Sequence, residues 1–204
     1  MDYIDIDETT LRVTTRLAAI LSPKRYAHCK STAETAVMLS TRFGVDRHAS
    51  YLAGLAHDMC RELSFEAQEH LVDIYGSCIA FLHGRQSLQV LFSDIEYKKK
   101  MLHGPASACM LCHEFNVKEQ DILEAVALHS IADEMMSDIA KIVYISDKLE
   151  PLRHRPQDAD EKLHTLDLES LFVYTLGCVV QWFSSSGKPL SPFTAHLYSR
   201  ILKE

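Results

Sequence analysis

A histidine followed directly by an aspartate, His57-Asp58 in the string AGLAHDM, is the pair in this chain best suited to hold a transition metal. An imidazole nitrogen and a carboxylate oxygen are both good ligands for a borderline divalent ion. Adjacent helical residues diverge by about 100°, yet both lean into one pocket when the helix stops beneath them. The face before them, Leu52, Ala53 and Ala56, is apolar, so the pair emerges from core. A capped helix terminus explains the dipeptide alone equally well, because the chain carries 11 histidines. His28 lies in KRYAHCKSTAETAVML, where the short Thr32 and Thr35 share its face and leave room for a cavity; a satisfied core histidine is the plainer reading. Asp147 stands among Ile142, Val143 and Ile145. A carboxylate buried there is costly unless it is paired or bound to a metal. An ion pair with Lys148 or Arg153 is the rival account. His103 precedes Gly104-Pro105 at a helix start, where free backbone N–H groups favour anions, and His129 closes the apolar run ILEAVAL. His48, His70, His83, His113, His154, His164 and His196 have polar or unpatterned settings and receive no role.

The elements that must position these groups read as helices almost throughout. Ser22-Pro23 caps and opens a helix running to Phe43, with Gly44 as its stop. Asp46 caps a second helix through Asp58, and Ser64 a third ending near Gly76. Residues 77–102 mix polar and apolar positions without a clean period and close on Lys98-Lys99-Lys100. Further helices follow from Gly104-Pro105 to Phe115, from Lys118 to His129, and from Ser137 to the residue before Pro151. Residues 160–183 form one or two core helices, with Leu171–Phe183 read as buried; a short helix ends near Lys203. There is no β-alternation and no convincing domain boundary. The expectation is one all-α domain over 1–204, a helical bundle with its site core at about 22–155.

The bulk composition narrows the function. The chain has 204 residues, 47% of them hydrophobic, which suffices for one sizeable core. Lys and Arg total 21 against 28 Asp and Glu, a formal charge of −7, which disfavours a nucleic-acid partner. A small anionic substrate remains compatible, since a metal supplies positive charge locally. No signal sequence and no run of about 18 apolar residues appears, so no membrane partner is expected. The six cysteines read as reduced thiols of a cytoplasmic protein. Cys109-Met110-Leu111-Cys112-His113 matches a haem-attachment pattern, but on a continuous helix it reads as core packing.

The order His, His-Asp, His, His, Asp on successive helices is similar to the ligand order of the HD superfamily of phosphohydrolases. RYAHCKSTAETAVMLSTRFGVD, AGLAHDMCREL, LHGPASA and ISDKLEPLR resemble, in order, four segments of the bacterial symmetrical diadenosine tetraphosphate hydrolases, the YqeK-type family. The resemblance spans roughly residues 22–200, with 70–100 unmatched. It implies an HD-domain helical bundle and a metal held by His28, His57, Asp58 and Asp147, iron being that family's usual occupant. His103 and His129 would face substrate phosphates or serve a second ion. Nucleotide contacts would come from Arg25, the stretch Asp58-Met59-Cys60-Arg61, Ser130, Arg153 and the turn Leu190, Ser191, Pro192, Phe193, Thr194 and Ala195. The C-terminal helices, 156–204, would complete the nucleotide pocket, and a homodimer is left open.

Two departures bear on substrate preference. Arg61 replaces the family's usual lysine, and His129-Ser130-Ile131-Ala132 replaces an H-T-x-G string. Ser130 keeps a hydroxyl; Ala132 lacks glycine's freedom at positive φ, and Asp133-Glu134 would put acid beside a phosphate site. With neutral imidazoles, Asp58 and Asp147 carry about −2, which one divalent ion neutralises. Metal-acidified water fits phosphoanhydride hydrolysis, and no serine or cysteine stands in a triad setting. The leading expectation is symmetrical cleavage of diadenosine tetraphosphate to ADP. Alternatives are another nucleotide substrate, cyclic or linear, or a nucleotide-binding regulatory module with little turnover.

Overall fold

The structure, a computed structural model, describes residues 7–203, so most of the acidic N-terminal segment lies outside the described residues. Among them there is no strand; α-helices follow one another in the order α1 (Glu8–Ile20), α2 (Pro23–Phe43), α3 (Arg47–Ala56), α4 (Phe65–Tyr75), α5 (Gln86–Ser93), α6 (Ile95–Met101), α7 (His103–Phe115), α8 (Gln120–Leu128), α9 (Asp138–Leu149), α10 (Ala159–Thr165), α11 (Leu168–Ser186) and α12 (Pro192–Ile201). The all-α expectation is met.

Local chemistry fixes the boundaries. Ser22 accepts from the Arg25 N–H at 3.3 Å with Pro23 in the first turn, and α2 ends at Gly44, whose φ of +69° lets its N–H reach Ser40. Asp46, Ser64 and Ser137 cap α3, α4 and α9 through the N–H three residues on. Glu150 is extended, as a residue before proline must be, and stops α9. α3 ends earlier than its sequence suggests: His57 is its C-cap, and Asp58 lies beyond it in a run of turns. The unread stretch 77–102 resolves into a 3₁₀ turn (Gly76–Cys78) and the short α5 and α6.

α9 lies at the centre, packed by α2, α3, α8 and α11, and its Ile142, Val143 and Ile145 are fully buried. Two glycines allow the closest approaches. A Cβ on Gly54 would lie 2.9 Å from the Ala33 backbone, and one on Gly104 would lie 2.6 Å from the Ala127 carbonyl oxygen. α3 thus presses onto α2, and α7 onto α8, immediately beside the histidines they carry. Cys109 and Cys112 are buried in α7 while His113 stacks on Tyr75 at 3.7 Å between ring centroids, and all six cysteines are free thiols. No helix among the described residues is long and apolar enough to cross a membrane.

α11 corrects one expectation. Its N-terminal half is buried through Leu171, Phe172, Thr175 and Leu176, but no residue after Leu176 is. Val179, Trp182 and Phe183 belong to a cavity wall instead.

Candidate metal centre and nucleotide cavity

Helix ends deliver the central histidines. The Nδ1 of His57 donates to the Gly54 carbonyl at 2.6 Å, and that of His129, the C-cap of α8, donates to Val126 at 2.7 Å. Each ring is held in one tautomer by a carbonyl of its own last turn, so its Nε2 lone pair faces inward. His28 reaches the same orientation differently: its Nδ1 donates to the Glu150 carboxylate at 3.0 Å. Its Nε2 then lies 3.1 Å from His57 Nε2 and 3.0 Å from Asp147 Oδ1. Asp58 is central. One of its oxygens lies 3.6 Å from His57 Nε2 and the other within 3.5 Å of both His103 and His129.

The structure therefore brings together His28, His57, Asp58, Asp147, His103 and His129, all buried. Two triads of metal-ligating atoms share His57: His28–His57–Asp147 and His57–Asp58–His129. The inward-facing lone pairs of His28 and His57 and the oxygens of Asp58 and Asp147 crowd acceptor against acceptor, which is the environment of a divalent cation. His103 differs. Its Nδ1 accepts from Arg61 at 2.8 Å, so in the neutral ring Nε2 carries the proton, aimed at His129 and Asp58.

The electrostatics keep Asp58, Asp147 and His129 in ligand form, whereas at His28 burial is outweighed by the Asp147 and Glu150 carboxylates, which raise its pKa. Burial opposes ionisation of Asp58, yet His57, His129 and His103 hold it well below the usual carboxylate range. Asp147 is held low against its burial by Lys148, Arg153, His28 and His57. His103 and His129 are both pushed down, chiefly by burial, and so are neutral near pH 7. The rival account of Asp147 is also present: it pairs with Arg153 at 2.5 Å and Lys148 at 2.8 Å while still facing His57. Lys148 in turn donates to the His129 carbonyl. Arg25 pairs with Asp58 at 2.6 Å.

A cavity of about 660 Å³ opens over this cluster, taking in Arg25, Asp58, Arg61, His103, His129, Ser130, Asp147 and Arg153. A smaller recess of about 370 Å³ shares Arg61 and His103 and adds Lys99 and Lys100. The Ser130 hydroxyl and Arg25 Nε are buried without a hydrogen-bond partner, two polar atoms left for a ligand.

Other sequence candidates fall elsewhere. Met59 and Cys60 are buried core, the Cys60 N–H donating to Ser107 at 3.0 Å. Leu190–Ala195 does not line the cavity: Ser191 is the N-cap of α12, Phe193 and Thr194 are buried, and the Tyr97 hydroxyl faces Ser191 and Thr194. Asp133 and Glu134 are not acids beside a phosphate site. Asp133 accepts from Ser87 at 2.5 Å and pairs with Arg85, and Glu134 pairs with Arg200 at 2.7 Å. Sequence reading missed Glu150, whose only signal was its place before Pro151. It named Lys148 as a partner of Asp147, as the structure shows, and it took Trp182 for core.

Ala132 has φ +54°, the left-handed region where Cβ is strained. Ala132→Gly is therefore expected to raise stability by about 1 kcal/mol. Urea midpoints of the two proteins measure this, and an unchanged or lower midpoint contradicts it.

A family model described as the HD domain matches residues 25–152. The symmetrical bis(5'-nucleosyl)-tetraphosphatase of Halalkalibacterium halodurans is 26% identical over 190 residues, covering 90% of this chain and 92% of that protein. The protein of the same name from Bacillus subtilis is 26% identical over 183 residues, covering 89% and 91%. A crystal structure of a predicted HD superfamily hydrolase involved in NAD metabolism, from Clostridium acetobutylicum, superposes with a TM-score of 0.76 at 23% identity over 94% of this chain and 96% of that one.

Proposed function

The chain belongs to the HD domain family, and from that premise we propose that it is a metal-dependent phosphohydrolase that cleaves diadenosine tetraphosphate symmetrically into two molecules of ADP. One observation carries the reading: inward-facing imidazole nitrogens and carboxylates form the floor of a cavity whose walls carry Arg25, Arg61 and Arg153. His28, His57, Asp58 and Asp147 would hold the ion, a set of two nitrogens and two oxygens that suits a borderline divalent metal such as iron. Such an ion, when bound, supplies Lewis acidity towards a phosphoryl oxygen and lowers the pKa of water.

The chain's own residues do the rest. Arg25 and Arg153 pair with the two carboxylates and border the cavity, so their guanidinium groups are within reach of phosphate oxygens as well. Arg61 lies at the junction of the cavity and the smaller recess, where a polyphosphate chain would pass from one to the other. The unpartnered Ser130 hydroxyl donates to a phosphate oxygen. His103, neutral and carrying its proton on Nε2, would hydrogen-bond to a phosphoryl oxygen at the cavity floor without giving the proton up. The buried floor excludes bulk water from the bond that breaks.

The relatives named symmetrical tetraphosphatases support this substrate over other nucleotides. An early time point with diadenosine tetraphosphate is expected to contain ADP alone by anion-exchange chromatography. AMP and ATP in equal amounts would mean an asymmetrical cut. No product from this substrate, with turnover of a mononucleotide or cyclic nucleotide, would move the enzyme to another nucleotide. Binding without turnover on any of them would make it a regulatory module.

A further inference from the structure

The exposed aromatic wall of α11 has no work in the core. Its apolar run continues past Leu176 through Val179, Trp182 and Phe183, yet none of these is buried, and Trp182 is 50% exposed. All three line the same cavity that takes in Asp58, Asp147 and the arginines. The Trp182 ring is braced edge-on by Phe183 at 4.9 Å between centroids, and the Lys188 ammonium lies 4.7 Å from its centre. A large apolar ring left in water is unfavourable unless a ligand covers it. The ligand that fits one cavity offering both arginines and a flat aromatic face is anionic at one end and flat and aromatic at the other.

Resting on the nucleotide reading above, we propose that Trp182 is the stacking platform of a nucleobase subsite. On it a purine base lies against the indole while its phosphates run to Arg153 and the His/Asp floor. Phe183 keeps the indole from rotating away, and Lys188 lies over one face of the ring, so the base takes the opposite face. Because stacking reads only the π-face, the subsite favours purines over pyrimidines by ring area and discriminates little between adenine and guanine. This places base recognition on α11, whereas the sequence resemblance points to Leu190–Ala195.

Trp182 is the only tryptophan in the chain, so its emission reports on this subsite directly. ADP titrated into the metal-loaded protein is expected to quench that emission, and inorganic diphosphate, which carries the charge without the base, is expected to leave it unchanged. By equilibrium dialysis, Trp182→Ala should weaken ADP binding on the order of 10-fold, Trp182→Phe should restore most of it, and the affinity for diphosphate should not move. Far-UV circular dichroism on each variant checks the fold. If ADP binds wild type and Trp182→Ala equally, or binds wild type without altering its emission, the subsite is wrong while the nucleotide reading stands. If no nucleotide binds the wild-type protein by dialysis, the nucleotide reading and the subsite both fail.

Discussion

Asp58→Ala is expected to lower hydrolysis of the dinucleotide by at least about 10³-fold, the upper end of what one lost electrostatic group costs an active site. Asp58 stands between the histidines of the site, with one oxygen towards His57 and the other towards His103 and His129. No neighbour duplicates it: Asp46 caps α3, and Asp147 already serves the site from the side of His28 and His57. The variant also leaves Arg25 without its partner, so its cation joins a pocket that must already accept a divalent ion. Metal content after purification should fall with activity, while the helical signal in circular dichroism stays. Wild-type turnover in the variant would remove Asp58 from the mechanism.

The second large effect is on stability, far from any reacting atom. Arg85 holds two buried carboxylates, Glu124 and Asp133, and also donates to the Met135 carbonyl at 2.5 Å. Glu124 in turn accepts from the Ser137 N–H at 2.9 Å, which ties the start of α9 to α8. Arg85→Met keeps much of the side-chain volume and leaves both carboxylates buried without their cation. Breaking a buried pair from one side costs about 3–5 kcal/mol; the partial exposure of Arg85 argues for the lower end. Urea unfolding is the measurement. A loss under about 1 kcal/mol would mean that Ser87 and the backbone N–H groups satisfy the two acids by themselves. Adding Glu124→Gln to the variant should recover part of the loss.

How much of this was legible in the sequence depended on whether the responsible interaction is local. Ser22, Asp46, Ser64 and Ser137 are caps that act on the next turn of their own helix, and each was readable in place. His57, His129 and Asp147 stood out because polar groups ended or interrupted apolar runs, and His103 because it opens a helix before Gly104-Pro105. α5 and α6 were unreadable for a physical reason: they are 8 and 7 residues long, too short for a 3.6-residue period to show itself. The Arg85–Glu124–Asp133 network joins residues 39 and 48 positions apart and leaves no local trace, so Asp133 looked like a stray acid beside a phosphate site. Trp182 failed for a third reason. An apolar residue facing a cavity and one facing the core obey the same periodicity, and only the packing around α11 tells them apart.

His57 and His129 each end a helix, and each ring is anchored by a carbonyl three residues earlier. Those carbonyls belong to the set that every helix leaves unpaired at its C-terminus. The orientation of both rings is therefore written in four consecutive residues and travels with its helix as a rigid piece. His28 has no such self-sufficiency: its anchor, Glu150, is 122 positions away. Sequence drift consequently acts unevenly on the pocket. Substitutions scattered through the bundle that alter how α2 meets the end of α9 will swing His28, while the two helix-terminal rings keep their aim. The chain can diverge widely in its packing because the geometry hardest to conserve by packing is carried by backbone that packing barely touches.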